Sequence, residues 1–173
     1  MSLDILSNLS RSVISVKMTR LMLVAGMVIL LDQISKMIIL HFLPMFEVIP
    51  VITGFFNITH IHNPGGAFGF MANQGPEVRR FLFIAVSSIA AVAVAVFYVK
   101  TPADYPWLST GLLLILGGAV GNMIDRFRFG EVIDFLDFYL LGHHWPAFNI
   151  ADSGITVGMI ILAFHLLFNN LPD

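Results

Sequence analysis

The sequence predicts an all-α integral membrane protein: four transmembrane helices, with a small β element and a short interfacial helix on the outer face. Three observations carry that expectation. The 173-residue chain is 57% hydrophobic and only 12% charged, whereas a water-soluble domain carries about 25% charged residues. Four apolar runs, 21–43, 81–99, 107–124 and 153–168, approach the roughly 20 helical residues that cross a hydrocarbon core. The connections between them are unequal. Residues 100–106 form a short link, whereas 44–80 and 125–152 are long and rich in polar and aromatic residues. With four spans both long loops emerge on one face, and loops of that length are usually functional.

The first apolar run holds Asp32 and Lys36 in its middle and is not followed by a small-residue cleavage site, so it reads as a retained helix rather than a removed leader. Residues 1–20 are expected to be a cytoplasmic N-terminal tail, leaving 21–173 as a four-helix membrane domain. In 55-FFNITHIHN-63 β-branched and aromatic residues alternate roughly, which suggests one or two strands before the turn at Pro64-Gly65-Gly66. In 131-EVIDFLDFYL-140 the apolar Val132, Phe135, Leu136 and Tyr139 recur at steps of three and four. That spacing predicts the interfacial amphipathic helix. Basic residues are balanced between the faces, with Arg11, Lys17, Arg20 and Lys100 on one and Arg79, Arg80, Arg126 and Arg128 on the other. The three that precede the first helix favour a cytoplasmic N-terminus.

Composition also excludes functions. A net charge of −2 gives no electrostatic reason to expect nucleic acid. The absence of cysteine rules out a disulfide, a thiolate nucleophile and a thiolate metal site.

Ionisable groups in apolar spans are functional candidates by default. Asp32 and Lys36 lie four apart with the acid first, the favoured order for an intrahelical ion pair, and mutual neutralisation explains them equally well. Gly117 and Gly121, like Gly154 and Gly158, sit at the spacing that lets helices approach closely. Asn122, Asp125 and Arg126 close the third span as a polar cluster better suited to support than to chemistry. His60, His62, His143 and His144 fall on the long loops, but no H-E-x-x-H accompanies them, and a zinc site is the weaker explanation.

The loop acids remain. Asp152 opens the fourth span, where free N–H groups and the helix dipole accept a carboxylate. A second acid folding back onto it would change its meaning, because two carboxylates sharing a site hold one proton between them. One can then take a proton from attacking water while the other donates to the carbonyl oxygen. Such a pair hydrolyses an amide without metal or cofactor. By spacing, Glu131, Asp134 and Asp137 could each be the partner.

These residues fall into ordered blocks: 32-DQISK-36, 63-NPGGAF-68, 117-GGAVGNMIDR-126, 130-GEVIDF-135 and 147-AFNIADSGITVG-158. As a set they resemble the lipoprotein signal peptidases of bacteria (signal peptidase II). The resemblance implies four transmembrane helices in the cytoplasmic (inner) membrane, cytoplasmic termini and a site at the outer face. It implies an aspartyl endopeptidase that needs no cofactor and removes the signal peptide of a prolipoprotein before a diacylglyceryl-modified cysteine. Carried over by position, its catalytic acids are Asp134 and Asp152. Asp32, Lys36, Asn63, Gly65, Asn122, Asp125, Arg126, Asn149 and Ala151 would shape the site or hold substrate. Asn63 and Asn149 are suited to bond the substrate backbone, and Arg126 to pair with Asp125 or a nearby anion. Membrane lipid, and inhibition by cyclic peptides of the globomycin class, come with the resemblance. The chain departs from it at Pro64 and Gly66, where the family has N-T-G-A-A-F. The rival reading is a small proton-coupled transporter or lipid-handling protein, with Asp32, Lys36, Asp125 and Asp152 along its pathway.

Overall fold

Proline opens two of the helices at a position where its missing N–H has no intrahelical partner to lose, and Gly130, at φ +82°, ends one in the left-handed conformation that lets the chain turn away. The computed structural model describes residues 2–65 and 75–168. In chain order it contains α1 (Ser2–Phe42), β1 (Val48–Ile52), β2 (Phe56–Asn63), α2 (Pro76–Lys100), α3 (Pro106–Phe129), β3 (Val132–Leu140), β4 (His143–His144) and α4 (Ile150–Phe168). Each of the four helices is long and apolar enough to cross a membrane, α1 from Ile14 onward. The protein is a mostly helical membrane protein.

α1 begins well before residue 21. Lys17 Nζ donates to the carbonyl of Val99 at 2.6 Å, and the Tyr98 hydroxyl donates to the carbonyl of Lys17 at 2.7 Å. This part of the expected tail therefore continues the first helix and packs on the end of α2.

α3 is the central helix and touches the other three. Its glycines permit this. A Cβ on Gly117 would lie 2.9 Å from the Ala25 carbonyl oxygen of α1, and one on Gly118 would collide with the carbonyl of Ala151 on α4. Around these contacts Ala25, Tyr98, Leu108, Leu112 and Leu113 form a buried apolar cluster between the helices.

The two long connections meet in one antiparallel sheet of order β1-β2-β3-β4. This corrects the sequence reading of 131–140, which predicted an interfacial helix. β3 pairs with β2 along one side, from Phe56 opposite Phe138 to Asn63 opposite Val132. On its other side Leu136 exchanges backbone bonds with Phe148, at 2.8 and 3.1 Å. Val132, Ile133, Phe135 and Tyr139 are good strand formers, and partners on both edges decide the matter over a marginal local period. Ile133 and Phe135 then pack on Ile39 and Leu43 at the end of α1. Phe135 is thus buried. The sheet is seated where α1 and α3 end and α4 begins.

Candidate active site

At that junction the structure gathers the polar residues that the sequence distributes over 120 positions. Asp32, Lys36 and Asp125 form its floor. Lys36 Nζ lies 2.8 Å from Asp32 Oδ2 and 2.7 Å from Asp125 Oδ2, with all three side chains almost fully buried, and it donates to Asn122 Oδ1 at 3.0 Å. A buried lysine with one acid would leave protons unsatisfied; here two carboxylates and an amide take them, as such burial requires. The same acids fasten neighbouring elements. Asp32 Oδ1 accepts the Ala151 N–H of α4 at 3.0 Å, and Asp125 Oδ2 accepts the Ile133 N–H of β3 at 3.2 Å. Gly121 makes room for this, since a Cβ there would lie 2.8 Å from Asp32 Oδ2.

Above the floor, Asn149 and Asp152 close the start of α4 reciprocally. Asn149 Oδ1 accepts the Asp152 N–H at 2.9 Å, and Asp152 Oδ2 accepts the Asn149 N–H at 3.3 Å. This is a capping box, with Asn149 at the cap and Asp152 three residues in; the sequence reading had taken Asp152 itself as the capping residue. The other Asp152 oxygen accepts Asn122 Nδ2 at 2.7 Å.

Asp134 comes in from β3. Asn149 Nδ2 donates to its Oδ1 at 2.7 Å and Asn63 Nδ2 to its Oδ2 at 2.9 Å. Asn63 is itself held by an Asx turn in which its Oδ1 accepts the Gly65 N–H at 2.9 Å. Gly65 adopts φ +88°, and a Cβ there would lie 2.5 Å from the Phe83 ring, so only glycine fits. The turn uses the N–H of Gly65, so the N–H that Pro64 lacks is not needed. Gly66 and Phe68 lie outside the described residues.

Asp134 is 2% exposed. Burial, reinforced by the charge of Asp152, pushes its carboxyl up to about 7, against the opposing effect of the Asn63 and Asn149 hydrogen bonds. Asp134 and Asp152 are thus joined through Asn149 and Asn122. Asp137, three residues on, belongs to the other face of β3, where it binds Asn57 Nδ2 at 2.8 Å and His144 Nδ1 at 2.7 Å. Glu131 meets His62 instead.

Two expectations need adjusting. Arg126 makes no ion pair with Asp125, whose partner is Lys36. It donates to the Asn122 carbonyl at 3.3 Å and lies over the Phe83 ring, within electrostatic reach of Asp152, Asp125 and Asp134. Asn63 and Asn149 have committed their amides to Asp134 rather than leaving them for a substrate backbone. Gln33 went unremarked in the sequence although it sits inside the first block. Its Nε2 bridges Asp125 Oδ1, Asp32 Oδ2 and the Gly121 carbonyl at 2.9 to 3.2 Å. The four loop histidines separate to opposite ends of β3, His62 beside Glu131 and His144 beside Asp137. Among the described residues no group of three or more His, Cys, Asp or Glu could hold a metal ion.

Beside Asp152 runs a groove of about 490 Å³ lined by Trp145, Phe148, Ser153, Thr156 and Val157. A carboxylate at the side of an apolar groove, with a second acid fixed behind it, suits hydrolysis of a bond in a lipid-associated chain.

Comparison with known proteins gives the family. The family model described as Signal peptidase (SPase) II matches residues 24–168. The chain is 54% identical over 156 residues to the lipoprotein signal peptidase of Desulforapulum autotrophicum, covering 90% of this chain and 96% of that one. It is 45% identical over 146 residues to that of Syntrophus aciditrophicus, covering 84% and 91%. A bacterial membrane enzyme solved by the in meso method at 1.9 Å superimposes with a TM-score of 0.77 at 34% identity, covering 87% of this chain and 94% of the other. The chain belongs to the signal peptidase II family.

Proposed function

We propose that Asp134 and Asp152 are the catalytic carboxylates with which this signal peptidase removes the signal peptide of a prolipoprotein, cleaving before the diacylglyceryl-modified cysteine. The observation that carries the reading is the asymmetry of the two acids. Asp134 is buried and pushed up to about 7, whereas Asp152 borders the open groove at a helix N-terminus. The protonated acid is then Asp134 and the water-activating one Asp152.

The steps balance. Water attacks the scissile carbonyl carbon as Asp152 takes one of its protons, and Asp134 passes its proton to the carbonyl oxygen, giving a tetrahedral diol. Asp152 next protonates the amide nitrogen. The C–N bond breaks while Asp134 recovers a proton from the diol, and both acids return to their starting states. The frame of Asn63, Asn122 and Asn149 keeps the carboxyls in place throughout, so little reorganisation accompanies the charge movement.

The setting supports the substrate. A diacyl anchor holds the scissile bond at the depth where the helices leave the hydrocarbon, which reduces the entropy of encounter. We place the protein in the bacterial inner membrane with both termini cytoplasmic and the sheet on the outer side. The remaining polar residues, Asp32, Lys36, Asn122, Asp125 and Arg126 with Gly65 and Ala151, shape the site. Cyclic peptides of the globomycin class would compete for the same groove. The transporter reading is not favoured. Its pathway residues Asp32, Lys36 and Asp125 are sealed in mutual contacts, and the relatives are named as peptidases.

The test incubates purified protein with a lipidated prolipoprotein, with and without chelator, and follows the shortened product. Cleavage indifferent to chelator is expected. Asp134→Asn and Asp152→Asn should each reduce turnover by roughly a thousandfold or more while leaving the thermal unfolding transition cooperative. Near-normal turnover in either variant refutes the pair.

A further inference from the structure

β2 ends in a histidine pair that the catalytic scheme leaves unused. His60 is 5% exposed, and its Nδ1 lies 2.7 Å from the carbonyl oxygen of Leu43, just past the end of α1. A carbonyl oxygen only accepts, so that nitrogen carries a proton. In the neutral ring His60 Nε2 is then an acceptor, and His62 Nε2, 3.1 Å away, must donate to it. This leaves Nδ1 of a neutral His62 without a proton, 3.4 Å from Glu131 Oε2. Two acceptors face each other there.

One added proton resolves the mismatch. Whichever ring carries the proton on the shared Nε2–Nε2 axis, the pair gains one positive charge and the protonated His62 Nδ1 faces Glu131 as an ion pair at 3.4 Å. Glu131 shares the wall of a small cavity with Pro64 and with Glu77, Arg79 and Arg80 from the start of α2. From the approach to β1, Glu47 offers its carbonyl to Thr59. Asp134 lies beyond Asn63.

The two ends of this contact bear on the site. His62 immediately precedes Asn63, which donates to Asp134 Oδ2 at 2.9 Å. Glu131 lies between Gly130, the cap of α3, and Val132, the residue of β3 paired with Asn63. Joining His62 to Glu131 therefore closes the end of the β2–β3 ladder beside the Asn63–Val132 pair, and Asn63 is the residue that holds Asp134.

We propose that His62 is a positioning residue for the peptidase reaction, whose protonation ties Glu131 to β2 and sets the Asn63–Asp134 contact, giving the enzyme a pH dependence separate from that of the acid pair. The inference rests on Asp134 being catalytic. Histidine is the side chain that ordinarily changes charge between about pH 5 and 8, and the tie to Glu131 requires the added proton.

The experiment measures kcat/KM on a lipidated prolipoprotein across that range for the wild type, His62→Gln, Glu131→Gln and the double variant. The wild-type to variant ratio should be about twofold to fivefold at the acid end, the size of one partly exposed ion pair, and fall to about one at the alkaline end. Both single variants should follow the same curve, and the double variant should add nothing further. A ratio that stays constant with pH overturns the proposal, because a purely structural defect would scale the whole profile. Should His62→Gln fail to fold, Glu131→Gln, whose side chain is 37% exposed, carries the same test. Failure of the underlying reading shows separately, as turnover retained in Asp134→Asn.

Discussion

Asp134, which we propose as a catalytic acid, affects stability through a single proton. Folding moves its carboxyl from 3.8 to about 7, so between those values the folded chain holds a proton that the unfolded chain has released. Stability therefore falls as pH rises through that window, by up to about 4 kcal/mol in all, and the loss is complete above it. Asp134→Asn cannot titrate. Thermal unfolding in detergent at about pH 5 and pH 8 should show a midpoint that drops with pH in the wild type, and a smaller drop in the variant; equal drops would contradict the burial argument. The choice of Asp134 was not legible from spacing, because three acids lie within reach of Asp152 in a loop of unknown conformation. In a strand, residues 134 and 137 face opposite sides, so knowing the element type separates them. Resemblance made that choice where local chemistry left it open. Asn63 was legible as polar but not as the holder of an acid, since its partner is 71 positions away.

Helices and strands were unequally legible for a related reason. Hydropathy is a local property, and all four spans were found from it, although all four helices run beyond the expected bounds because helix continues past the apolar window. Strand pairing is not local. The segment 131–140 carries apolar residues at both helical and strand spacing, and only β2, some 70 residues earlier, and Phe148 decide between them. Small residues, by contrast, marked the helix contacts in advance, and this yields a prediction at the scale of the element. Gly118→Val should destabilise the protein by about 1–3 kcal/mol, since the added carbons meet the Ala151 carbonyl and Ile155. Gly26→Val is the control, because nothing lies within 4 Å of a Cβ there. Comparing their unfolding midpoints checks it, and equal effects would mean that helix propensity rather than the α3–α4 seam is responsible. Asn149→Ala tests the cap: about 1 kcal/mol of stability should be lost with the capping box. Its loss of turnover should be larger in proportion, because the same side chain holds Asp134.

At the scale of the whole molecule, four spans and two long connections force one arrangement. The ends of α1 and α3 and the starts of α2 and α4 share a face, and the sheet assembled there cannot be on the other side from the site. The start of α1, the end of α4 and the link between α2 and α3 lie at the opposite face. The open question is which face is outward, and the balanced arginines and lysines do not decide it. Function does, if the substrate's lipidated cysteine is processed at the outer surface. The sequence contains no cysteine, so a single thiol can be introduced without background. In spheroplasts a membrane-impermeant thiol reagent should label Gly142→Cys, in the β3–β4 turn, and leave Tyr105→Cys, at the start of α3, unlabelled until the membrane is opened. Gly142 has φ +80° with nothing within 4 Å of a Cβ, so the substitution strains one turn without touching the core. The reverse pattern of labelling would invert the topology and place the acid pair on the cytoplasmic side, away from any substrate already exported.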